Sequence, residues 1–509
     1  MLEQSILGKL YAIWLQSWTF ALLQRAYLAV SRAAQGSVIL NRLFQEGRLE
    51  RIFRASLLAR AIRRFCDWIR RLLGRCDALN IYAATQNSFV LRTVRGSVLR
   101  FLGSFEGLFC FFIFVMFVVP HKYWNNLYAV AAAFAFLILY LFLAGAGHRE
   151  WFAPELLGLG GLLFLLSLLL SIAFSEVPAD SLRIFLFFLA SVSFCYVIAA
   201  DFRDPARLRR LLAYLYAALI VVSLYAIAQN VFHLVSASAS FTDLKLNEGV
   251  PGRVYSTLDN PINLSEFILL FLPLSAAFTA SIRRVWLRIL LTLGLVIPAV
   301  ALVLTYSRGG WIAIVLAAAI YTYCCNKRLI PLLAVVCLLA IPFLPEAVLT
   351  RLSTIGNKAD SSTQHRLDIW TGILNLLGDR GRFFTGIGLG PKTFNIIYPD
   401  YAVGTAKTGA YHTQMQYLEL ITEAGILCLL SFLYMMCKYL GRAGRAMRSG
   451  RPEHRMILIA CISSMVALAF AGIVEYLWFY PRIMFAFFIL LGIMLAAAGS
   501  ENEAASAQL

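Results

Sequence analysis

Residues 346–425 read EAVLTRLSTIGNKADSSTQHRLDIWTGILNLLGDRGRFFTGIGLGPKTFNIIYPDYAVGTAKTGAYHTQMQYLELITEAG. This is the longest interval after residue 100 that is not an apolar run of membrane length. It carries Arg351, Arg366, Arg380 and Arg382, and two of the six histidines, His365 and His412. It ends where a new apolar helix begins, which places His412 close to a membrane surface. Its reading decides the fold: the chain is a set of spans that hold one large polar loop over a bilayer.

The composition agrees. The chain has 509 residues, of which 60% are hydrophobic, and a mean hydropathy of +0.75. A soluble protein of this size cannot bury so much apolar surface. A helical span needs about 20 apolar residues. Such runs lie at 104–120, 126–147, 156–174, 183–200, 210–233, 262–281, 286–306, 311–325, 329–345, 414–440, 456–474 and 481–499. The expected fold is therefore all-α and polytopic, with about twelve transmembrane helices and the large loop between the ninth and tenth. Residues 1–103 form a basic amphipathic region, 104–345 hold spans one to nine, and 346–413 form the loop. Residues 414–499 hold spans ten to twelve, and 500–509 form a polar tail.

The net charge of +18 is unevenly placed. Lys and Arg crowd residues 1–100, then Arg203, Arg207, Arg209 and Arg210, then Arg283, Arg284 and Arg288, then Lys327 and Arg328, then residues 442–455. Cytoplasmic loops carry such an excess. With an even number of spans, both termini are then cytoplasmic and the 346–413 loop is extracytoplasmic. The same rule accounts for the basic charge, so no nucleic acid is implied. No disulfide framework and no zinc-type CxxC pair is expected from the ten cysteines. In the N-terminal region, LYAIWLQSWTFALLQRAYLAV and LERIFRASLLARAIRRFCDWIRRLLGR place apolar residues at helical spacing with Arg between them. They read as amphipathic helices on an anionic inner leaflet, with membrane lipids as partners.

The candidate site residues stand at the outer ends of spans. Arg253 precedes span six in PGRVYSTLDNPINLSEF. Arg308 stands in TYSRGGW after span seven, where the positive-inside rule disfavours it and where an anion is needed nearby. In the loop, DIWTGILNLLGDRGR reads as a surface helix with Ile369, Trp370, Ile373, Leu374 and Leu377 as its apolar row. FFTGIGLGPKTF is a structural turn rather than a nucleotide loop, because it follows no buried strand. Glu176 and Asp180 lie in a short outer turn and read as solvated, and EYLWFYPR (475–482) reads as an interfacial belt.

No Walker motif, HExxH, GxSxG or Asp-x-Asp pair is present. No cofactor and no metal is implied. Outside the cytoplasmic membrane there is no ATP, so a reaction must draw on an activated substrate. Arginines match phosphate oxygens bidentately. A histidine with an ordinary pKa near 6.5 accepts a proton from a hydroxyl. The combination suits displacement of a lipid diphosphate by a sugar hydroxyl.

Over about residues 100–500 the layout resembles the bacterial O-antigen ligase/polymerase superfamily. The resemblance is carried by PGRVYSTLDNPINLSEF, TYSRGGWIAI, HRLDIWTGIL followed by TGIGLGP, and YHTQMQYLELITEAGI. It implies a glycosyltransferase of the bacterial cytoplasmic membrane that moves a glycan from an undecaprenyl-diphosphate carrier to a glycan or lipid acceptor, with inversion. By the same resemblance Arg253 and Arg308 bind the diphosphate, Arg366 assists, and His412 is the general base. In the family the histidine stands about nine residues before the Glu of the E-x-G motif. Counted back from Glu423, that position is Gln414, and His412 lies two residues earlier. Ligase and polymerase remain alternatives on these residues. A lipid-linked glycan transporter is the reading from another class, since twelve spans are common in transporters.

Overall fold

The computed structural model describes residues 48–77, 104–149, 157–235, 252–340, 346–353, 361–379, 381–449 and 452–506, with a few isolated positions. The first N-terminal segment, most of the loop before Arg253 and residues 354–360 lie outside the described residues. Those described contain helices and no strand. The chain is an all-α polytopic membrane protein.

Two amphipathic helices, α1 (Arg48–Ala55) and α2 (Leu57–Asp77), precede the spans. They are followed by α3 (Phe105–Val118), α4 (Asn126–Gly145), α5 (Gly158–Ser171), α6 (Pro178–Asp201), α7 (Pro205–Val231) and α8 (Pro261–Ala280). Next come α9 (Val285–Leu304), interrupted at Leu295, then α10 (Arg308–Asn326) and α11 (Ile330–Ala340). The loop holds α12 (Glu346–Ser353), α13 (Ser361–Gly378), α14 (Arg382–Thr385) and α15 (Pro391–Ile397). The last three are α16 (Gln416–Ser449), α17 (Pro452–Ala471) and α18 (Pro481–Ser506).

A helix therefore stands in each of the twelve expected runs, but not all are alike. Among the described residues, nine helices are long and apolar enough to cross a membrane. Two shorter apolar helices, Phe105–Val118 and Gly158–Phe174, fill the first and third runs, and one of the nine, Arg308–Leu339, covers two runs. That stretch is not straight. Asn326 is extended (φ −160°, ψ 101°), and its side chain caps the Arg328 amide at 3.1 Å. Beyond it, Val348 is buried against Val303, Tyr306 and Trp311, beside the start of α10. The chain has thus returned to the end of the bundle from which α10 set out.

The centre of the bundle is α18, whose span is buried along its whole length. Gly492 lets it approach α6 closely: a Cβ there would lie 2.8 Å from the Cys195 carbonyl. At the loop end of α18 the Trp478 ring is enclosed by Phe164, Phe188, Phe432 and Phe487, with ring centroids 5.1–6.1 Å away. At the opposite end, Arg149 and Arg207 bridge Glu106 and Asp201 at 2.7–3.2 Å. This four-charge network joins the start of α3, the end of α4, the end of α6 and the start of α7. Buried charges survive when each meets its opposite, as here. α2 docks on this side, with Leu73 and Gly74 against Gly145. It still exposes Leu58, Phe65 and Trp68, an apolar row that suits a membrane surface.

The loop builds its own small core from Ile369, Ile373, Leu376, Leu377, Ile387, Phe394 and Tyr398. The sequence reading placed Leu374 on the apolar face of α13, but it is 64% exposed. One residue is about 100° of helix, so the stripe that buries Ile369, Ile373 and Leu377 turns Leu374 outward.

The glycine turn clamps this loop to α16. That helix breaks at Ala424 (φ −136°, ψ 16°) and Gly425 (φ 76°, ψ 172°). The break frees two carbonyls. Ile387 N–H donates to Thr422 O at 2.8 Å, and Gly388 N–H donates to Glu423 O at 3.0 Å. Gly386, Gly388 and Gly390 all have positive φ, at 71°, 101° and 96°. A Cβ on Gly386 would stand 2.4 Å from Glu423 O, and one on Gly425 2.0 Å from Phe384 O. Left-handed backbone alone costs a non-glycine residue roughly 1–2 kcal/mol, and these collisions add to it. Gly386→Ala and Gly425→Ala are each expected to lose more than ~2 kcal/mol of stability. Gly378→Ala, where a Cβ meets nothing within 4 Å, should be neutral. Thermal unfolding in detergent checks this, and equal midpoints for all three variants would remove the clamp.

Candidate functional site

The site begins with Arg366 on α13. Its Nε donates to Gln414 Oε1 at 3.0 Å, and its Nη2 donates to Glu475 Oε1 at 2.8 Å. Glu475 lies in the turn between α17 and α18. That turn is stitched to the start of α16 by Gln416, whose N–H donates to Gly472 O at 2.8 Å and to Glu475 O at 3.0 Å. The Gln416 side-chain oxygen accepts from Leu477 N at 3.2 Å. The loop, the start of α16 and the α17–α18 turn are thus one hydrogen-bonded unit.

Arg308 is the first residue of α10, and this helix end abuts Glu475. A Cβ on Gly309 would lie 3.9 Å from both Cγ and Oε1 of Glu475. Ser307 caps the helix by accepting from Gly310 N at 3.3 Å. Gly310 sits against Ser265 of α8 so closely that a Cβ would come within 2.8 Å. The Glu475 carboxylate therefore lies between a guanidinium and a helix N-terminus, the place where an anion is favoured. Arg253 is buried, and its Nε donates to Thr305 O at 2.8 Å. Val254 N–H adds a bond to Leu304 O at 3.3 Å. The segment carrying Arg253 is thereby laid on the last turn of α9, just before Arg308. Arg253, Arg308 and Arg366 share one end of the bundle.

His412 is in the same layer. Its ring lies against Tyr476 and Phe479, with centroids 5.5 and 4.6 Å away. Its Nδ1 accepts the Gln414 N–H at 3.1 Å, and Gln414 has a positive φ of 54°. With Nδ1 accepting, the proton of the neutral ring belongs on Nε2. Burial among the aromatic rings, and next the positive charge of Arg366, push the His412 pKa down to about 4. The ring is neutral at pH 7. Gln414 occupies the position that the resemblance gives to a histidine, and its side chain is held by Arg366 (above).

Several residues gave no clear signal in the sequence. Glu266 of α8 is 3% exposed, has no hydrogen-bond partner on either oxygen, and is close enough to Glu475 to feel its charge. It read as part of a span. Asp180, expected to be solvated, is 6% exposed, because Gly390 packs onto its carboxylate (a Cβ there would lie 3.1 Å from Oδ2). Arg482, expected in an interfacial belt, is 3% exposed. It donates to Val119 O at 2.8 Å and Met116 O at 3.3 Å, and lies over the Trp124 ring. Trp478 of the same belt is 2% exposed. Both are pinned inward because α18 is the central helix. Among the described residues no three His, Cys, Asp or Glu side chains gather as a metal-ligand set.

Residues 293–433 match the model of a family described as O-antigen ligase. The matched stretch includes Arg308, Arg366, His412, Gln414 and the glycine clamp, and leaves Arg253 and Glu475 outside. No curated protein matches the chain.

The depressed His412 pKa gives a testable stability profile. Between about pH 6.5 and about pH 4 the unfolded chain binds a proton at this position and the folded one does not. Stability therefore falls as pH falls through that window, by up to about 3 kcal/mol from this group. His412→Asn, which keeps a short acceptor for Gln414 N–H, should flatten the profile there. Thermal midpoints from pH 7 to pH 4 check it, and an unchanged slope would show that the ring titrates normally.

Proposed function

We propose that this chain, whose residues 293–433 match the O-antigen ligase family model, is a lipid-linked glycan transferase of the O-antigen ligase/polymerase type. Its donor is a glycan on undecaprenyl diphosphate, and its acceptor is a hydroxyl of a glycan or lipid. It works at the outer side of the bacterial cytoplasmic membrane, with both termini inside, and inverts the anomeric centre. Arg203 and Arg442, from two of the basic clusters, meet beside Gly499, and the positive-inside rule supports this orientation.

One observation carries the reading: Glu475 is held at 2.8 Å by Arg366 beside the N-terminus of α10. That arrangement is an anion site. A diphosphate arriving there meets Arg366 and Arg308, with Arg253 behind them, in place of one carboxylate. Positive charge fixed before the reaction stabilises the charge that grows on the leaving diphosphate, usually the largest catalytic term. Arginine side chains supply that charge here, and the proposed reaction needs no metal ion.

His412 lies at the edge of this layer and is the proposed contact to the acceptor hydroxyl. For it to take the proton at Nε2, Nδ1 must carry a proton and give up the Gln414 N–H. The observed bond at 3.1 Å favours a second assignment of the proton. Glu475, released when the diphosphate takes Arg366, accepts the proton as the acceptor oxygen bonds to the anomeric carbon and the diphosphate leaves. His412 then orients the acceptor by donating from Nε2.

Liposome transfer assays separate these roles. If Glu475 takes the proton, Glu475→Gln should lose ~100-fold or more in kcat and His412→Asn should keep most of it. The reverse pattern assigns the proton to His412. Arg308→Lys is expected to lose ~10–100-fold, because a point charge lacks the fork of a guanidinium. Full activity of Arg308→Lys would refute diphosphate clamping, and loss with EDTA restored by a divalent ion would refute metal independence. In cells lacking the chain, long lipid-linked polymer would indicate a ligase and single lipid-linked repeats a polymerase.

A further inference from the structure

At the end of the bundle away from the loop, an apolar hollow lies between α2 and α5. The course of α5 shows which end this is. Beyond its last turn Ser175 meets Thr393 of the loop at 3.2 Å, so Leu157 and Gly158 stand at the far end. The hollow measures about 120 Å³, or about 540 Å³ with its open mouth. Phe53, Ile62, Leu157, Leu162 and Leu165 form most of its wall, and among the described residues Arg63 is the one charged side chain there. An apolar cavity of about 150 Å³ stays dry and takes a hydrocarbon guest.

The elbow over the hollow is fixed at several points. Ser56 caps α2, its Oγ accepting from Ala59 N–H at 3.1 Å. Glu50 of α1 is buried, with Tyr434 Oη 3.5 Å from its Oε1. At the other end of α2, Arg70 lies over the Trp151 ring at 5.9 Å, beside the Gly145 contact. α2 is thus a strap held at both ends, with the hollow under its first turns. At 100° per residue its side chains fall into three sectors. Ala59, Ile62, Ile69 and Leu73 face the bundle, and Leu58, Phe65 and Leu72 lie exposed beside them. Arg60, Arg64 and Arg71 are exposed on the remaining side. A helix so divided lies in a membrane face with its arginines at headgroup level. Arg63 stands on the border between the docked row and the arginines, where its Nη2 donates to the Arg54 carbonyl oxygen. The α5 wall also leads somewhere. Leu162 and Leu165 share a helix face with Leu166 and Leu169, which are exposed. That stripe runs about 10 Å along α5, from the hollow toward the hydrocarbon of a bilayer.

We propose that this hollow seats one acyl chain of an anionic phospholipid from the leaflet opposite the loop, with the lipid phosphate against Arg63. The chain lies along the α5 stripe and ends under the strap. Charge selects the headgroup: α1 and α2 carry nine arginines against three acidic residues, and basic groups at a membrane face draw anionic lipids. The site is separate from the arginine layer at the loop end, and it stands whether or not the transferase reading does.

The test uses the full chain in nanodiscs that contain a phosphatidylglycerol with a photoreactive diazirine in its tail. After irradiation, mass spectrometry locates the labelled residues. Label is expected on Ile62, Leu162 or Leu165. Unlabelled phosphatidylglycerol should compete for it about fivefold better than phosphatidylcholine with the same tails. Arg63→Gln should remove that difference, whereas Arg71→Gln, in the outward sector, should keep it. Leu162→Trp fills the hollow and should confine the label to exposed leucines such as Leu166 and Leu169. If Leu162→Trp does not fold, Arg63→Gln still decides, because it changes a partly exposed side chain. Equal competition by the two lipids in the wild type, or a headgroup preference that survives Arg63→Gln, overturns the proposal. Label found only on the exposed leucines of the wild type also overturns it, since the hollow is then filled by something else, the chain's own N-terminal segment included.

Discussion

The hydrogen bonds from Ile387 and Gly388 to the carbonyls of Thr422 and Glu423 are the constraint on which the site depends. A helix that breaks inside a membrane protein releases carbonyls that have no water to turn to. α16 breaks at Ala424–Gly425, and the glycine loop supplies the missing donors. The exchange fixes two things at once. It lets the helix change direction, and it ties a loop reached from α13 to a span reached from elsewhere in the chain. Arg366, on α13, is thereby kept within reach of Glu475, more than a hundred residues later.

This accounts for the glycines better than any ligand does. The spacing Gly386, Gly388, Gly390 resembles a phosphate loop on paper. In the fold its amides are spent on Thr422, Glu423 and the Glu423 side chain. The E-A-G sequence and the G-x-G-x-G sequence are two halves of one contact. Gly386 and Gly425 are needed because the other half comes so close, whereas Gly388 is crowded by Ser175 and Gly390 by Ile184 and Asp180.

Much of the architecture was legible in the chain because it depends on local composition. Apolar length located the spans, and a helix stands in each expected run. What the chain concealed are properties set by partners distant in sequence. Arg482 has the look of a membrane-interface residue, and only the central place of α18 makes it a buried clamp for the end of α3. Glu266 sits in an ordinary apolar run, and nothing local announces that Glu475 will lie nearby. Leu374 is the smaller case: helical periodicity located the stripe, but its edge depended on how the loop folds onto itself. At the site, the arginines were visible because they stand where charge is out of place. Which nitrogen of His412 is free was not visible, since that depends on the backbone turn at Gln414.

The Arg366–Glu475 pair also bears on selectivity under the proposed reading. An empty cluster of arginines at a membrane face would collect any phosphate headgroup that diffuses past. A carboxylate already seated at 2.8 Å must be displaced first, and the pair is only partly exposed, so separating it without replacement is unfavourable. A lipid phosphodiester brings one negative charge and offers little gain over the carboxylate it would displace. A diphosphate brings more charge, spread over oxygens that can meet two guanidinium forks together. It can satisfy Arg366 and the Arg308 helix end at the same time, which one carboxylate bonded through Oε1 does less fully. Under that reading Glu475 acts as a threshold: it holds Arg366 at 2.8 Å and yields to a ligand whose charge exceeds its own.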